Sequence, residues 1–437
     1  MFIHYLDLSW RSLKRTPLVS FLMILAIAIG IGVTMTSLSV YHMMSMDPIP
    51  SKSDKLFMVQ LETMDEGEDW WTSDTMPRQL TFKDSENLQF AKQGLRQAAM
   101  VKTGFAVHLN NPDFKPLLRP TRATGRDFFE MFNVPFLYGS AWSEQLAQDG
   151  APVVVIGDEL NQQLFGGGNN VGKTIYLDDD TYEIVGILAP WKLASKFYDL
   201  NNGSFRDTEQ VYIPFSLVRI KHLESWGNNN GWKHEDIQTH QNKLDSEILW
   251  LQFWVELPDA SSVAMYKTFL KNYIAEQQKV GRFNRNEPRS IIRNVKQWLE
   301  YNEVVSEDNK ILVGLSFMFL AVCLANILGL LLAKFMRRAP EIGVRRALGA
   351  SKTQVFAQHM VEVSVLGLLG GVLGIVIAQI GLIGIRQADR DYEMLAVMDP
   401  TMLLSAPMIA ISACILAGLY PAWLVCKTNP AIYLKSQ

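Results

Sequence analysis

Residues 18–42 read LVSFLMILAIAIGIGVTMTSLSVYH, a stretch without a single Asp, Glu, Lys or Arg. A helix of that length exceeds the roughly 20 residues that cover a bilayer core. Three more runs of the same kind follow at Ile311–Ala333, Val363–Ile385 and Met402–Cys426. One such run could be a buried helix of a soluble core, but four argue for membrane spans. The first is too long for a signal peptide, and Met43–Asp47 after it carries no Ala-x-Ala site, so it is expected to be an uncleaved anchor.

Orientation is read from the basic residues. Arg11, Lys14 and Arg15 precede the first span. Arg337, Arg338, Arg345, Arg346 and Lys352 separate the second from the third, and Lys427 and Lys435 follow the fourth. The connection between the third and fourth spans is acidic on balance, with Arg386 and Arg390 against Asp389, Asp391, Glu393 and Asp399. The positive-inside rule then places both termini and the second-to-third connection in the cytoplasm, and Met43–Lys310 outside. Within Met1–Pro17, Ile3, Leu6, Trp10 and Leu13 fall at helical spacing with the basic residues opposite. That pattern predicts an amphipathic helix on the inner membrane face.

The 437 residues are 48% hydrophobic, an average that hides four apolar runs and a long polar middle. A net charge of −3 argues against a nucleic-acid binder, which needs a basic face. Cys323, Cys414 and Cys426 all lie inside apolar runs, so the middle segment has no disulfide available and must rely on its own core. No Cys/His zinc spacing is present.

The middle segment reads as globular. Leu56–Leu61, Ala99–Leu109 and Leu249–Leu257 have strand-like apolar and β-branched content. Thr81 with Asp84 opens a helix to Lys92, and another helix covers Ser261–Gln277. Val153–Ile156, Thr174–Leu177, Tyr182–Leu188 and Val211–Pro214 read as short strands, with Asp178–Asp180 as a hairpin turn. The pattern suggests a β-rich lobe, about 116–244, inserted into an α+β lobe made from about 51–115 and 245–300.

Two tempting sites are set aside. Gly167–Thr174 matches GxxxxGK[ST], but phosphate binding by that motif needs a strand before the loop and a helix after it. Here Glu159–Phe165 looks helical and Ile175–Val185 alternates like a hairpin, so a glycine-rich turn is expected. His222, His234 and His240 lie in a loop with Trp226 and Trp232, at spacings that match no standard metal site. No Ser/His/Asp or Cys/His constellation stands out, and neither a catalytic site nor a metal site is expected.

The connection between the second and third spans is the most specific stretch: Pro340, Glu341, Ile342, Gly343, Val344, Arg345, Arg346, Ala347, Leu348, Gly349, Ala350, Ser351. It resembles the E-I-G-x-R-R-A-L-G-A-S signature of the MacB/FtsX superfamily of ABC transporter permeases. Gly418–Ala422 and Asn429–Ala431 resemble the family's G-x-Y-P-A and D-P-x-x-A-L endings, although Asn429 replaces the usual Asp and Trp423 is atypical. Gly125–Gly139 and Val153–Leu188 look like the family's periplasmic core domain, which makes Gly167–Thr174 a family turn.

The resemblance implies a membrane protein of four transmembrane α-helices, one plus three, with a large α+β extracytoplasmic domain between the first and second. The expected layout is an amphipathic helix at 1–17, a first span at 18–42 and a MacB-like core domain at 43–310. A second span at 311–335, a coupling segment at 336–360, a third span at 361–385, a loop at 386–401, a fourth span at 402–426 and a tail at 427–437 complete it. A bacterial inner membrane is implied. No ATPase domain is readable in this chain, so it is expected to be the non-enzymatic permease. ATP and magnesium would then be used by a separate cytoplasmic ABC ATPase subunit.

Gly349 should end the helix of the connection and Ser351 should cap the next one. The family implies that this helix couples to the ATPase, with Glu341, Arg345, Arg346, Leu348 and Gly349 as the docking residues. The plainer alternative is that the arginines only set topology and bind anionic lipid. Gly367, Gly370, Gly371 and Gly374 provide two GxxxG spacings for close helix packing, within or between subunits. Pro421 should kink the fourth span. Glu362 is expected at the inner edge of the third span, reaching the interface. The implied function is mechanotransmission for export of peptides, antibiotics, toxins or lipoproteins. Further implied partners are a second permease, identical or paralogous, and a periplasmic adaptor with an outer-membrane channel. The alternative is an FtsX-like regulator of a cell-wall hydrolase that transports nothing.

Overall fold

The computed structural model describes residues 2–72, 74–111, 114–388 and 400–427. The expectations for the loop at 386–401 and for the tail with Asn429–Ala431 fall largely or wholly outside the described residues. The chain divides into two compact units, Met1–Met46 with Val305–Gln437, and Asp47–Val304.

The first unit is helical. Pro17–Ser45, Glu307–Arg337, Lys352–Ala388 and Pro400–Lys427 are long and apolar enough to cross a membrane. One precedes the inserted domain and three follow it. The first span is central, with Met23, Ile27, Ala28, Ile31 and Met35 buried against the second and third spans. The fourth span is one helix through both Pro407 and Pro421.

Two expectations need correction here. Residues 352–360, assigned above to the coupling segment, are the first turns of the third span, because Ser351 starts that helix directly. The N-terminal helix, Phe2–Arg15, does not merely lie on a surface. Ser9, Ser12 and Leu13 are buried on the bundle while Leu6 and Trp10 stay exposed, so one edge of the expected apolar stripe packs on the bundle and the rest does not.

Among the described residues the inserted domain is built on ten strands, β1 Leu56–Leu61, β2 Arg96–His108, β3 Leu117–Thr124, β4 Phe136–Gly139, β5 Val153–Gly157, β6 Thr174–Leu177, β7 Asp180–Leu188, β8 Val211–Pro214, β9 Gln252–Glu256 and β10 Ser290–Asn294. They form one sheet in the order β10-β1-β9-β2-β3-β8-β5-β7-β4, with β6 pairing β2 and β7. The lobes expected from sequence are therefore halves of a continuous sheet. β2 is long enough to pair with β9 along its first half and β3 along its second, which welds the flanking strands to the middle ones. Each half keeps its own core. Phe57, Val59, Leu88, Phe253, Val255, Tyr266 and Leu270 form one, and Val101, Val154, Ile156, Ile175, Ile184, Val211 and Trp250 the other.

Helix starts follow local chemistry. Thr81 accepts the Asp84 N–H at 3.0 Å and starts Phe82–Ala91, and Asp259 caps Ala260–Lys279 through the Ser262 N–H at 2.8 Å.

Candidate functional site

The elbow between the second and third spans is assembled by backbone rules that its sequence obeys. The helix Ala339–Ala347 begins with Pro340 in its first turn and buries Ala339, Ile342 and Gly343. It ends on Gly349 at φ +106, a conformation that L side chains rarely adopt. The Gly349 N–H donates to the Arg346 carbonyl at 3.2 Å and the Ala350 N–H to the Arg345 carbonyl at 3.1 Å, the paired bonds of a Schellman motif. Ser351 then accepts the Gln354 N–H at 3.2 Å while the Gln354 side chain accepts the Ser351 N–H at 3.0 Å. This capping box leaves only Leu348–Ala350 between two satisfied helix ends. The elbow is short and both of its ends are fixed.

The predicted docking residues separate into two kinds. Arg345 pairs with Glu341 at 2.7 Å and donates to Gln358 at 3.3 Å, and Arg346 donates to the Cys426 carbonyl at the end of the fourth span at 3.1 Å. Arg15 of the N-terminal helix lies 3.6 Å from Glu341. These charged side chains tie the elbow to its neighbours. Leu348, in contrast, is 84% exposed and presents an isobutyl group at the tip.

Beneath the elbow lies a charged cluster that sequence reading placed elsewhere. Glu362 was expected to reach the interface, but it is 1% exposed. The third-span helix begins at Lys352, eleven residues before its apolar run, so Glu362 sits well inside a packed turn rather than at a helix start. Its Oε1 is 2.8 Å from the Lys334 ammonium of the second span and accepts the Ser12 hydroxyl of the N-terminal helix. Arg338 donates to the Ser12 hydroxyl and, at 3.2 Å, to its carbonyl, and lies 3.9 Å from Glu362. His359 stands 3.7 Å from the other carboxylate oxygen with its ring 4.1 Å from that of Phe335. One carboxylate thus gathers the N-terminal helix, the second span and the third. A signal for it existed in the sequence. Lys334 ends one apolar run and Glu362 begins the next, with opposite charges at matching depth.

Gly367, Gly370, Gly371 and Gly374 of the third span all pack within the chain. A Cβ on Gly367 or Gly371 would meet the fourth span at the Ile411 or Pro407 Cα, each at 2.9 Å. A Cβ on Gly370 or Gly374 would meet Ile27 or Ile31 of the first span, at 2.4 and 2.8 Å. Adjacent glycine pairs therefore open two faces of one helix to two different neighbours.

The loop resembling a phosphate cradle is filled by its own side chains. Lys173 donates to the Asn170 side chain at 2.7 Å, and Asn170 in turn donates to Asn161 at 2.8 Å. The following element is β6, so no helix N-terminus faces the loop. His222 and His240 stack at 5.0 Å, and among the described residues no group of three metal-ligating side chains forms.

Four apolar helices in a one-plus-three arrangement, an inserted α/β domain and a rigid elbow define a membrane permease of the ABC-transporter kind. A family profile described as MacB-like periplasmic core domain matches residues 20–272, and one described as FtsX-like permease C-terminal matches residues 313–430. The chain belongs to the family of ABC transporter permeases built from these two domains. It is 23% identical over 312 residues to the pyoverdine export ATP-binding/permease protein PvdT of Pseudomonas entomophila, covering 71% of this chain and 42% of that one. It is 22% identical over 358 residues to the macrolide export ATP-binding/permease protein MacB of Shewanella oneidensis, covering 81% of this chain and 48% of that one. The chain thus spans less than half the length of these curated relatives. The crystal structure of the periplasmic region of MacB from Actinobacillus actinomycetemcomitans aligns at 13% identity and a TM-score of 0.37, covering 59% of this chain and 97% of that one.

Proposed function

We propose that this chain is the permease subunit of an exporter, lying in a bacterial inner membrane with both termini cytoplasmic and the inserted domain periplasmic. A separate cytoplasmic ABC ATPase binds ATP and magnesium, and its closure pushes on the elbow. A second permease, identical or paralogous, completes the assembly. Peptides, antibiotics, toxins or lipoproteins are the proposed cargo classes, the relatives being named for export of pyoverdine and of macrolides, and a periplasmic adaptor with an outer-membrane channel is the expected route outward.

The observation that carries this reading is the construction of the elbow. Arg345, Arg346 and Glu341 hold it to the second turn of the third span, to the fourth span and to the N-terminal helix, while Leu348 projects. Force applied at the tip therefore reaches three helices without bending the loop. Leu348→Asp removes the contact surface and leaves every elbow hydrogen bond in place. The variant is expected to insert normally but to lose co-purification of the ATPase subunit from detergent-solubilised membranes. Unchanged co-purification would exclude the tip as the docking surface.

A further inference from the structure

Three of the large apolar side chains that the inserted domain exposes, Phe90, Leu95 and Ile220, line one cavity of about 450 Å³. Its inner wall includes Phe82 and Phe215, whose rings stack at 5.7 Å. The volume falls within the roughly 300–1,000 Å³ of small-molecule sites, and the apolar walls suit a hydrocarbon body.

The polar lining is unevenly satisfied. Arg219 is held by Glu86 through two bonds of 3.1 and 2.6 Å, and Lys92 is paired with Glu144. Arg126 lines the same cavity, is exposed, and makes no hydrogen bond or ion pair among the described residues. Its neighbour Asp127 accepts the Gln97 N–H at 3.2 Å, and burial pushes its carboxyl up from the ordinary range, which weakens it as a competing anion. Thr124 also lines the cavity, with its hydroxyl buried away from solvent.

We propose that this cavity binds a single-chain amphiphile with an anionic head, its alkyl body between Phe82, Phe90, Leu95 and Ile220, and its carboxylate on Arg126. An uncharged or cationic head would leave Arg126 with only the more distant carboxylates of Asp127 and Glu144 acting on it. The site goes beyond the permease reading and does not depend on it, because occupancy needs neither ATP nor a partner.

The test uses the full chain in phosphatidylcholine nanodiscs, without ATP, and a dodecanoate carrying a mid-chain diazirine. After illumination, mass spectrometry should find label on peptides covering 82–97 and 215–220. Unlabelled dodecanoate should displace it at least tenfold better than dodecylamine. Arg126→Glu should cut labelling about tenfold, in line with loss of a charge-assisted bond, and Ile220→Trp should fill the cavity and block it. Arg126→Lys should retain labelling, which separates loss of the charge from damage to the domain. Label spread without preference for these peptides, label that excess dodecanoate fails to displace, or equal displacement by the amine would each overturn the proposal. None of those results bears on ATPase docking.

Discussion

Two residues show how charge is used in each unit. Glu362 and Lys334 are each 1% exposed at the side chain and 2.8 Å apart. Removing one partner of such a pair strands the other and costs roughly 3–5 kcal/mol, whereas replacing both by apolar groups is often neutral. Glu362→Gln should therefore lower the unfolding temperature of the detergent-solubilised chain substantially. The double variant Lys334→Met with Glu362→Leu should recover most of that loss, and strictly additive effects would show that the pair does not interact. In the inserted domain, Arg122 is fully buried against Asp199 and Glu209, with Lys196 and Tyr198 also on Glu209. Burial alone would push the Glu209 carboxyl up, but Arg122 and Lys196 beside it hold it below the ordinary carboxylate range. A depressed folded-state value means stability that is present above the unfolded value of about 4.3 and lost as pH falls below it. Stability to thermal unfolding should accordingly fall on acidification below about pH 4.3. Glu209→Gln should be less stable at pH 7 and flatter across that range, and an unchanged acid slope would count against the assignment. Neither cluster was fully legible in the sequence, because Arg122, Asp199 and Glu209 meet only once the sheet has formed.

Elements were more readable than their partnerships. The spacing from Leu56 to Leu61 and from Val211 to Pro214 gave strands β1 and β8, and Thr81 marked its helix start, since period and capping are local properties. β3, β4 and β10 escaped. β3 carries Arg119, Pro120 and Arg122, and its charge is tolerated only because tertiary partners bury or pair it. The glycine pattern of the third span was legible as close packing, but its neighbours were not. Because Gly371 and Gly374 face other helices while Gly384 faces open space, alanine should act with opposite sign at these positions. Gly384→Ala should be neutral or stabilise by up to about 1 kcal/mol through helix propensity. Gly371→Ala and Gly374→Ala should destabilise by roughly 1–3 kcal/mol through overpacking. Denaturation of the three variants in one detergent would decide this, and equal effects would mean that the faces are misassigned.

At the scale of the molecule, the one-plus-three arrangement was plain from hydropathy, whereas the joining of two lobes into one sheet depends on pairings that no local pattern encodes. The proposed topology is open to direct measurement, because Cys323, Cys414 and Cys426 are all buried and give little background. A cysteine at Lys173 should react with an impermeant maleimide from the periplasmic side, and one at Leu348 only from the cytoplasmic side. The reverse pattern would overturn the proposed orientation and, with it, the docking of an ATPase at the elbow.

The pairing of β1 with β9 and β10 also sets a schedule for biosynthesis. The first strand to leave the ribosome after the anchor must wait, hydrophobic and unpaired on both edges, until nearly the whole inserted domain has been made. The earliest point at which this chain can misassemble therefore lies before its second apolar helix has been made.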